Sequence, residues 1–553
     1  LASSVRQING QTYSGWGEKS KEPNMADMAR GKVSRLYPHE TLVYLRLAGL
    51  TPNVTPKDGY FRLDKNHPNY ASLYSLALIA AVNRYALIVQ TTGEITPLAY
   101  GEIREILIDY TGLYGALDTS FGGGGSGIVL TDLSGGNDFG RAMAAQPNGR
   151  IVVAGSVRDG LPNFGLARYL RNGTLDISFG NGGIISHSQP LANLQAQDIA
   201  LQSDDKIIVV GTTYISDLAD LTVARFLSGG MLDSNFNQGW VHLRFGSLPS
   251  RGAAVALQSD GKIVIAGDAL DQTDTLLGLV RLHPDGSVDS TFGVADGRVT
   301  IPMTQGGGLL NVRAVAVLSD GHILVAGSFT VSGHWRIFLA RFTPEGALDS
   351  SFGTSGRVET AVGSDAQARD MAIQRNVRSG GQTEDRIVVA GETGSGPSSD
   401  FLLLRYNLNG SLDPSFGNLG RVITDFDGRE DHADALAVAE DGSIIVVGRS
   451  QSGTASEPAL ARYYANGATD ASFGTDGRVR TALQSGIGRV EDVVIQPDPA
   501  SALTPFPLRP LWIYVSGWAS NGNNNDFLLA RYEAGLAVTR GQWIEPVLGL
   551  MMG

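Results

Sequence analysis

A six-residue string, Leu-Asp-x-Ser-Phe-Gly, recurs seven times in this chain of 553 residues, and that recurrence constrains the fold more than any other feature. The copies begin at Leu117, Leu175, Leu232, Val288, Leu348, Leu412 and Thr469, with small substitutions such as Asn235 and Asn237 in the third. Their spacing runs from 56 to 64 residues. Self-similarity at such a period marks a fold made by stacking one supersecondary unit, because no single unit can bury its apolar face alone.

Each unit keeps the same internal order. After Phe-Gly comes a short segment such as Gly356-Arg357-Val358 or Gly420-Arg421-Val422. An Ala-rich alternating stretch follows, as in 253–258 or 435–439, and then a turn pair, as in Asp260-Gly261, Asp320-Gly321 and Asp441-Gly442. Next is an apolar run such as Ile263-Val264-Ile265-Ala266-Gly267, and last a run of the type Phe338-Leu339-Ala340-Arg341-Phe342. β-Branched runs bounded by Asp-Gly pairs read as strands joined by hairpins. The 71 glycines fit many tight turns better than long helices. Four strands per unit, seven times over, can bury both faces by stacking radially as propeller blades. A flat solenoid is the alternative, and it usually takes shorter repeats. The expected fold is therefore mainly β, a seven-bladed β-propeller over residues 111–535, with a small N-terminal α+β domain before it.

The Leu-Asp-x-Ser-Phe-Gly, Asp-Gly-Lys-Ile and Ala-Arg-Tyr elements resemble the delta-60 repeat family of bacterial β-propellers, and the resemblance covers residues 117–535 in all seven units. That family is defined by sequence and not by a shared activity, so the resemblance implies a fold and little about function.

Residues 1–30 are polar, contain Gly15-Trp16-Gly17, and read as an extension or docking arm. From 31 to 110 the pattern changes. Strands are expected at 32–37, 42–47, 59–63, 85–90 and 102–108. Between the third and fourth, a run from Asn69 to Arg84 places Leu73, Leu76, Ala77, Ala80 and Ala81 at helical spacing. The order β-β-β-α-β-β is that of the OB-fold, a small barrel that binds oligonucleotides or oligosaccharides. It also resembles the OB-type binding subunits of bacterial toxins in element order. Residues 536–553 are a mostly apolar tail, including Trp543, Ile544, Val547, Leu548, Leu550, Met551 and Met552, expected to cover a groove or join a partner.

Charge and composition narrow the function classes. A net charge of −12 without any Lys/Arg run argues against nucleic acid. The absence of cysteine removes disulfides, thiolate metal sites and a Cys nucleophile. No stretch approaches the roughly 20 apolar residues of a membrane span. The chain starts at Leu1 and is read as a bacterial mature chain whose signal peptide has been removed, hence secreted or at the cell surface.

Most repeated residues read as structural. Asp118, Asp176, Asp233, Asp289, Asp349, Asp413 and Asp470 are expected to accept backbone hydrogen bonds in interblade turns. Arg168, Arg225, Arg281, Arg341, Arg405, Arg462 and Arg531 are expected to pair with these carboxylates, the alternative being an anion-attracting ring in the central channel. A unique site has to be sought where the copies differ. No Gly-x-Ser-x-Gly elbow, His-Glu-x-x-His site or phosphate loop is present, so no catalytic residue is assigned. The Gly-x-Gly-x-x-Gly match at 122–127 leads into a strand and is not a dinucleotide site.

Three candidate sites remain. Asp425, Asp427, Glu430 and Asp431 lie in an acidic stretch with His432 and Asp434, and several carboxylates on one loop would suit Ca2+. Trp335, and Trp518 with Asn521 and Asn523, are ligand candidates, since an indole can stack on a sugar while amides bond its hydroxyls. Insertions at 376–385 and 497–510 add loop length, where function often sits. The leading expectation is non-catalytic recognition of a glycan or surface protein. The alternatives are a polysaccharide hydrolase or lyase at the propeller mouth, and a structural subunit self-assembling through its termini.

Overall fold

The computed structural model describes residues 28–38, 42–48, 60–64, 86–91, 101–109, 114–159, 161–187, 193–215, 218–246, 248–270, 275–294, 296–303, 308–379, 382–497 and 510–536. It divides into two compact units, 1–116 with 471–476 and 538–553, and 117–470 with 477–537. In the first unit, strands β1 (Met28–Pro38), β2 (Leu42–Ala48), β3 (Tyr60–Asp64), β4 (Ala86–Thr91) and β5 (Gly101–Asp109) close a barrel in the order β1-β2-β3-β5-β4. The β3–β5 pair is parallel and the others antiparallel. The five strands fall on the expected segments. The expected helix at 69–84, the arm at 1–27 and the tail from 537 lie outside the described residues.

The second unit is seven four-stranded antiparallel sheets, a seven-bladed β-propeller. Blades 1 to 6 have their innermost strands at Asn137–Ala145, Asn193–Leu201, Ser250–Leu257, Leu310–Val317, Ala366–Ser379 and Glu430–Val438. Blade 7 has its innermost strand at Gly488–Pro497, and its outer strand comes from the other end of the unit: β6 (Ile128–Thr131) pairs with Asn525–Leu536 through Phe527–Thr131, Leu528–Leu130, Leu529–Val129 and Ala530–Ile128. This pairing closes the ring.

The turn chemistry explains the hairpins. At Asp260-Gly261, the Asp260 carboxylate accepts the Lys262 N–H at 3.1 Å, and Gly261 takes φ +83, a conformation costly for any residue with a Cβ. The second strand of each blade is then buried on both faces, which is why it reads as a continuous apolar run: Ile263 to Ala266 are fully buried. The cores lie between neighbouring blades. Val388, Ala390 and Leu403 of blade 5, for instance, pack with Leu436, Val446 and Ala461 of blade 6.

The repeated Arg and Asp pair with one another, and none of the seven repeated arginines lines the central channel. In blades 1 to 6 each Arg pairs with the Asp eight residues on, at 2.7–3.1 Å, and Arg531 of blade 7 pairs with Asp118 from the other end of the unit. Each guanidinium also reaches a backbone carbonyl of the next blade: Arg168 to Ser228, Arg225 to Pro284, Arg281 to Pro344, Arg341 to Leu408, Arg405 to Ala465, Arg462 to Ala534 and Arg531 to Arg171. In six units it lies 4.5–4.9 Å over the repeat Phe. That Phe is fully buried and abuts a positive-φ glycine of the following blade, as Phe416 does Gly467.

Asp118, Asp176, Asp289, Asp349 and Asp413 are held below the usual carboxylate range. Burial opposes their charge, but the hydroxyl and N–H two residues on, together with the Arg, overcome it. A carboxylate with a depressed folded pKa stabilises above its unfolded value and loses that contribution as pH falls through the folded one. Melting curves are therefore expected to be flat from these groups above about pH 4 and to drop steeply below it. A midpoint unchanged down to pH 2.5 would refute the interblade role given to them.

Candidate functional site

One ring of residues lines a cavity of about 360 Å³ to which all seven inner strands contribute. Each inner strand carries a β-bulge, the register slipping between Gly140 and Ala142, Ala196 and Asp198, Gly252 and Ala254, Val312 and Ala314, Ala368 and Asp370, Ala433 and Ala435, and Val490 and Asp492. A bulge leaves one residue outside the ladder and re-aims its side chain. Those residues are Arg141, Gln197, Ala253, Arg313, Arg369, Asp434 and Glu491, and all seven line the cavity. Opposite each bulge stands the glycine that ends the apolar run. A Cβ on Gly448 would lie 1.9 Å from the His432 carbonyl oxygen, and one on Gly267 1.9 Å from that of Arg251. This column of glycines, one per unit at the end of the apolar run, is the sequence signal for the lumen.

Around the lumen most charges are paired. Arg141 of blade 1 meets Glu491 of blade 7 at 3.0 Å, and Arg489 bridges Glu491 at 3.1 Å and Asp434 at 2.7 Å. Arg369 grips Glu392 at 2.6 Å and Arg251 grips Asp268 at 2.6 Å. Burial works against the Glu392 charge, yet His432 and Arg369 hold it down at about 2. Arg313 differs. It is exposed to the lumen and, among the described residues, makes no ion pair or hydrogen bond. Burial in the channel, then repulsion from Arg369, lowers its pKa to about 10.

The residue after the bulge is Asp in three blades. Asp198, Asp370 and Asp492 each accept the N–H of the next residue through one oxygen and an N–H of the following blade through the other: Val255 at 2.7 Å, Leu436 at 2.8 Å and Met143 at 2.6 Å. They therefore clasp blades 2 to 3, 5 to 6 and 7 to 1. Burial raises Asp198 to about 7, Asp370 to about 6 and Asp492 well above the carboxylate norm, although those N–H groups favour the charge.

The acidic stretch of blade 6 is a turn and a strand, Glu430–Val438, and not one loop, so alternation sends its carboxylates to different places. Asp427 turns outward to Arg480 at 2.7 Å, and Glu430 accepts from His432 at 2.9 Å. Asp434 faces the lumen. Asp425 and Asp431 remain together and are joined by Asp400 of blade 5, which lies 25 positions earlier in the chain and was not among the candidates.

The ligand candidates are mostly spent within the fold. Trp518 is half-buried, edge-on to Phe139 at 5.4 Å. Asn521 caps its own turn, accepting the N–H groups of Asn523 and Asn524 and donating to Asp526 at 2.8 Å. Asn523 is exposed beside it. Trp335 is half-buried on blade 4, where its backbone N–H donates to Asp365 at 2.9 Å. The insertion at 376–385 extends the blade 5 hairpin into strands Ala366–Ser379 and Gln382–Thr393, whereas 498–509 lies outside the described residues.

Fold and lumen together define a closed seven-bladed propeller with a charged axial pocket. Six segments, 146–179, 202–236, 258–292, 318–352, 382–416 and 439–473, match the family described as "Domain of unknown function (DUF5122) beta-propeller". No curated protein matches the sequence. Among solved structures it is similar to a catalytically inactive virginiamycin B lyase from Staphylococcus aureus with quinupristin, at 9% identity and TM-score 0.38, over 73% of this chain and 98% of that one. It is also similar to an ulvan lyase, at 10%, 0.40, 74% and 96% respectively, and to Sqt1 of Chaetomium thermophilum, at 11%, 0.39, 73% and 98%. Likeness at this level carries no argument about chemistry.

Proposed function

We propose that this protein is a non-catalytic binding protein whose propeller lumen takes the anionic end of a small ligand or glycan, a uronate or a sulfated sugar. The observation that carries the reading is Arg313, a lumen-facing guanidinium without a protein partner, on the blade between those of Arg251 and Arg369. A cation in a confined lumen gains strongly from a charge-assisted bond to a carboxylate or sulfate, and the cavity has the size of a small-molecule site. The closed five-stranded barrel of the first unit is read, from its strand order, as an OB-type module that adds a second contact to the same class of ligand. A secreted or surface location fits this reading.

A glycan array that holds neutral, uronate-containing and sulfated glycans, probed with the full chain, tests it. Binding confined to acidic glycans is expected, and Arg313→Ala, which removes no hydrogen bond or ion pair, is expected to weaken it about tenfold or more at unchanged melting temperature. Equal binding of neutral glycans, or an unaffected Arg313→Ala, would end the proposal.

The raised Asp198 and Asp370 favour a second reading, general acid–base cleavage of an acidic polysaccharide in the lumen. Release of reducing ends or of unsaturated uronides by the wild type would move the assignment to an enzyme.

A further inference from the structure

At the seam between blades 5 and 6 the carboxylates of Asp400, Asp425 and Asp431 converge, their nearest oxygens all within 4.8 Å of one another. Two oxygens on opposite sides of a Ca2+ ion, each at 2.3–2.6 Å, stand about 5 Å apart, so the spacing suits one ion. Each carboxylate bonded to backbone keeps an oxygen free. Asp425 uses Oδ1 on the Gly428 N–H at 2.6 Å, and Asp431 uses Oδ2 on the Phe426 N–H at 2.7 Å.

Asp431 supplies an independent sign of a missing ligand. Its side chain is fully buried, and its Oδ1 accepts no hydrogen bond. The hydroxyl of Ser450, its register partner, is also buried without a hydrogen bond. A sealed carboxylate that faces two others with no donor to its free oxygen is a costly arrangement unless a cation completes it.

The repeat provides its own control. The pairings Leu221–Leu243, Phe401–Thr424 and Phe527–Thr131 align Asp220, Asp400 and Asp526, and likewise Arg244, Asp425 and Asp132. The matching caps, five residues on from the N–H they accept, are Ser250, Asp431 and Asp138. At the seam of blades 2 and 3 the set is Asp220, Arg244 and Ser250, and the Arg244 guanidinium is bonded to Asp220. At the seam of blades 7 and 1 all three are acids, but Ser134 donates to Asp138 at 3.0 Å and Asn521 to Asp526 at 2.8 Å. Only at the seam of blades 5 and 6, among these three, are the acids left without such side-chain donors.

We propose that Asp400 and Asp425 of blade 5 and Asp431 of blade 6 bind a divalent cation, Ca2+ by the hardness of their oxygens, which pins blade 5 to blade 6 in the place where Arg244 neutralises Asp220 within blade 2. Asp425 is exposed, so water fills the remaining coordination positions. The site is independent of the lumen ligand.

The test is calorimetric titration of the chelator-treated full-length protein with CaCl2, with melting curves in CaCl2 and in EDTA. Saturable binding and a higher melting temperature in Ca2+ are expected. Asp425→Asn is expected to weaken Ca2+ about tenfold or more, and Asp427→Asn to bind as the wild type does. Asp425→Arg, which imports the blade 2 arrangement, is expected to abolish the Ca2+ response and to melt in EDTA at or above the wild-type EDTA value. No saturable heat and no shift with Ca2+, Mg2+ or Mn2+, or wild-type affinity in Asp425→Asn, would overturn the proposal.

Discussion

Asp413→Ala is expected to cost about 3–5 kcal/mol of stability, the range for a buried ion pair that loses one partner. Asp413 is 3% exposed and bonds two guanidinium groups, Arg405 at 2.9 Å and Arg386 at 3.1 Å, which are themselves 2% and 3% exposed. Its other oxygen accepts the N–H of Ser415 at 3.0 Å and the hydroxyl at 2.7 Å. Truncation leaves two buried cations facing each other. Gln374, which accepts from Arg405 at 2.9 Å, and Glu384, which accepts from Arg386 at 2.9 Å, relieve only part of that repulsion. Asp349→Ala at the equivalent place in blade 4 is expected to cost less, because its one guanidinium partner, Arg341, reaches solvent more and His322 stands beside it. Urea unfolding of the two variants checks the ranking, and equal losses would show that the double pairing of Asp413 contributes nothing.

Period and turn chemistry made the blades legible, since a strand buried on both faces must be a continuous apolar run and Asp-Gly must be a turn. The pairing of each Arg with its Asp was equally legible, because both recur once per unit and a buried charge needs a partner. Ring closure was not. A cyclic repeat looks the same whichever strand is taken first, and nothing local in Ile128–Thr131 says that it belongs beside residues about 400 positions later. The lumen residues are hidden for another reason: Arg141, Gln197, Ala253, Arg313, Arg369, Asp434 and Glu491 range from cation to methyl to anion at one bulge position, so they form no recurring motif. Asp400 is not legible as a partner of Asp425 in the sequence, because 25 positions separate them. It meets Asp425 only because the third strand of blade 5 pairs with the fourth, Phe401 opposite Thr424.

Val129→Pro with Leu130→Pro is expected to remove about 3–5 kcal/mol and to open the ring at one place. Neighbouring N–H groups in a strand point to opposite edges, so one of the two prolines must delete a hydrogen bond to residues 528–529, leaving an orphan acceptor worth about 1–3 kcal/mol. Val129 also packs on the core of Phe121, Phe527 and Leu529, and the burial of such a side chain is worth about 1.5–3 kcal/mol. The buried Tyr169–Thr131 hydroxyl bond, 2.8 Å long, ties β6 to blade 1 and is lost with the strand. A matched pair, Val422→Pro with Ile423→Pro in the outer strand of blade 5, deletes the same kind of contact between segments about 20 residues apart. Hydrogen exchange separates the two. The β6 variant is expected to lose protection on both sides of the closing seam, in the inner strands of blades 7 and 1, while the blade 5 variant loses it only locally. The Asp492–Met143 and Arg531–Asp118 contacts also cross the closing seam. Should they hold the ring shut alone, the two variants would exchange alike, and β6 would be an edge strand and not the latch.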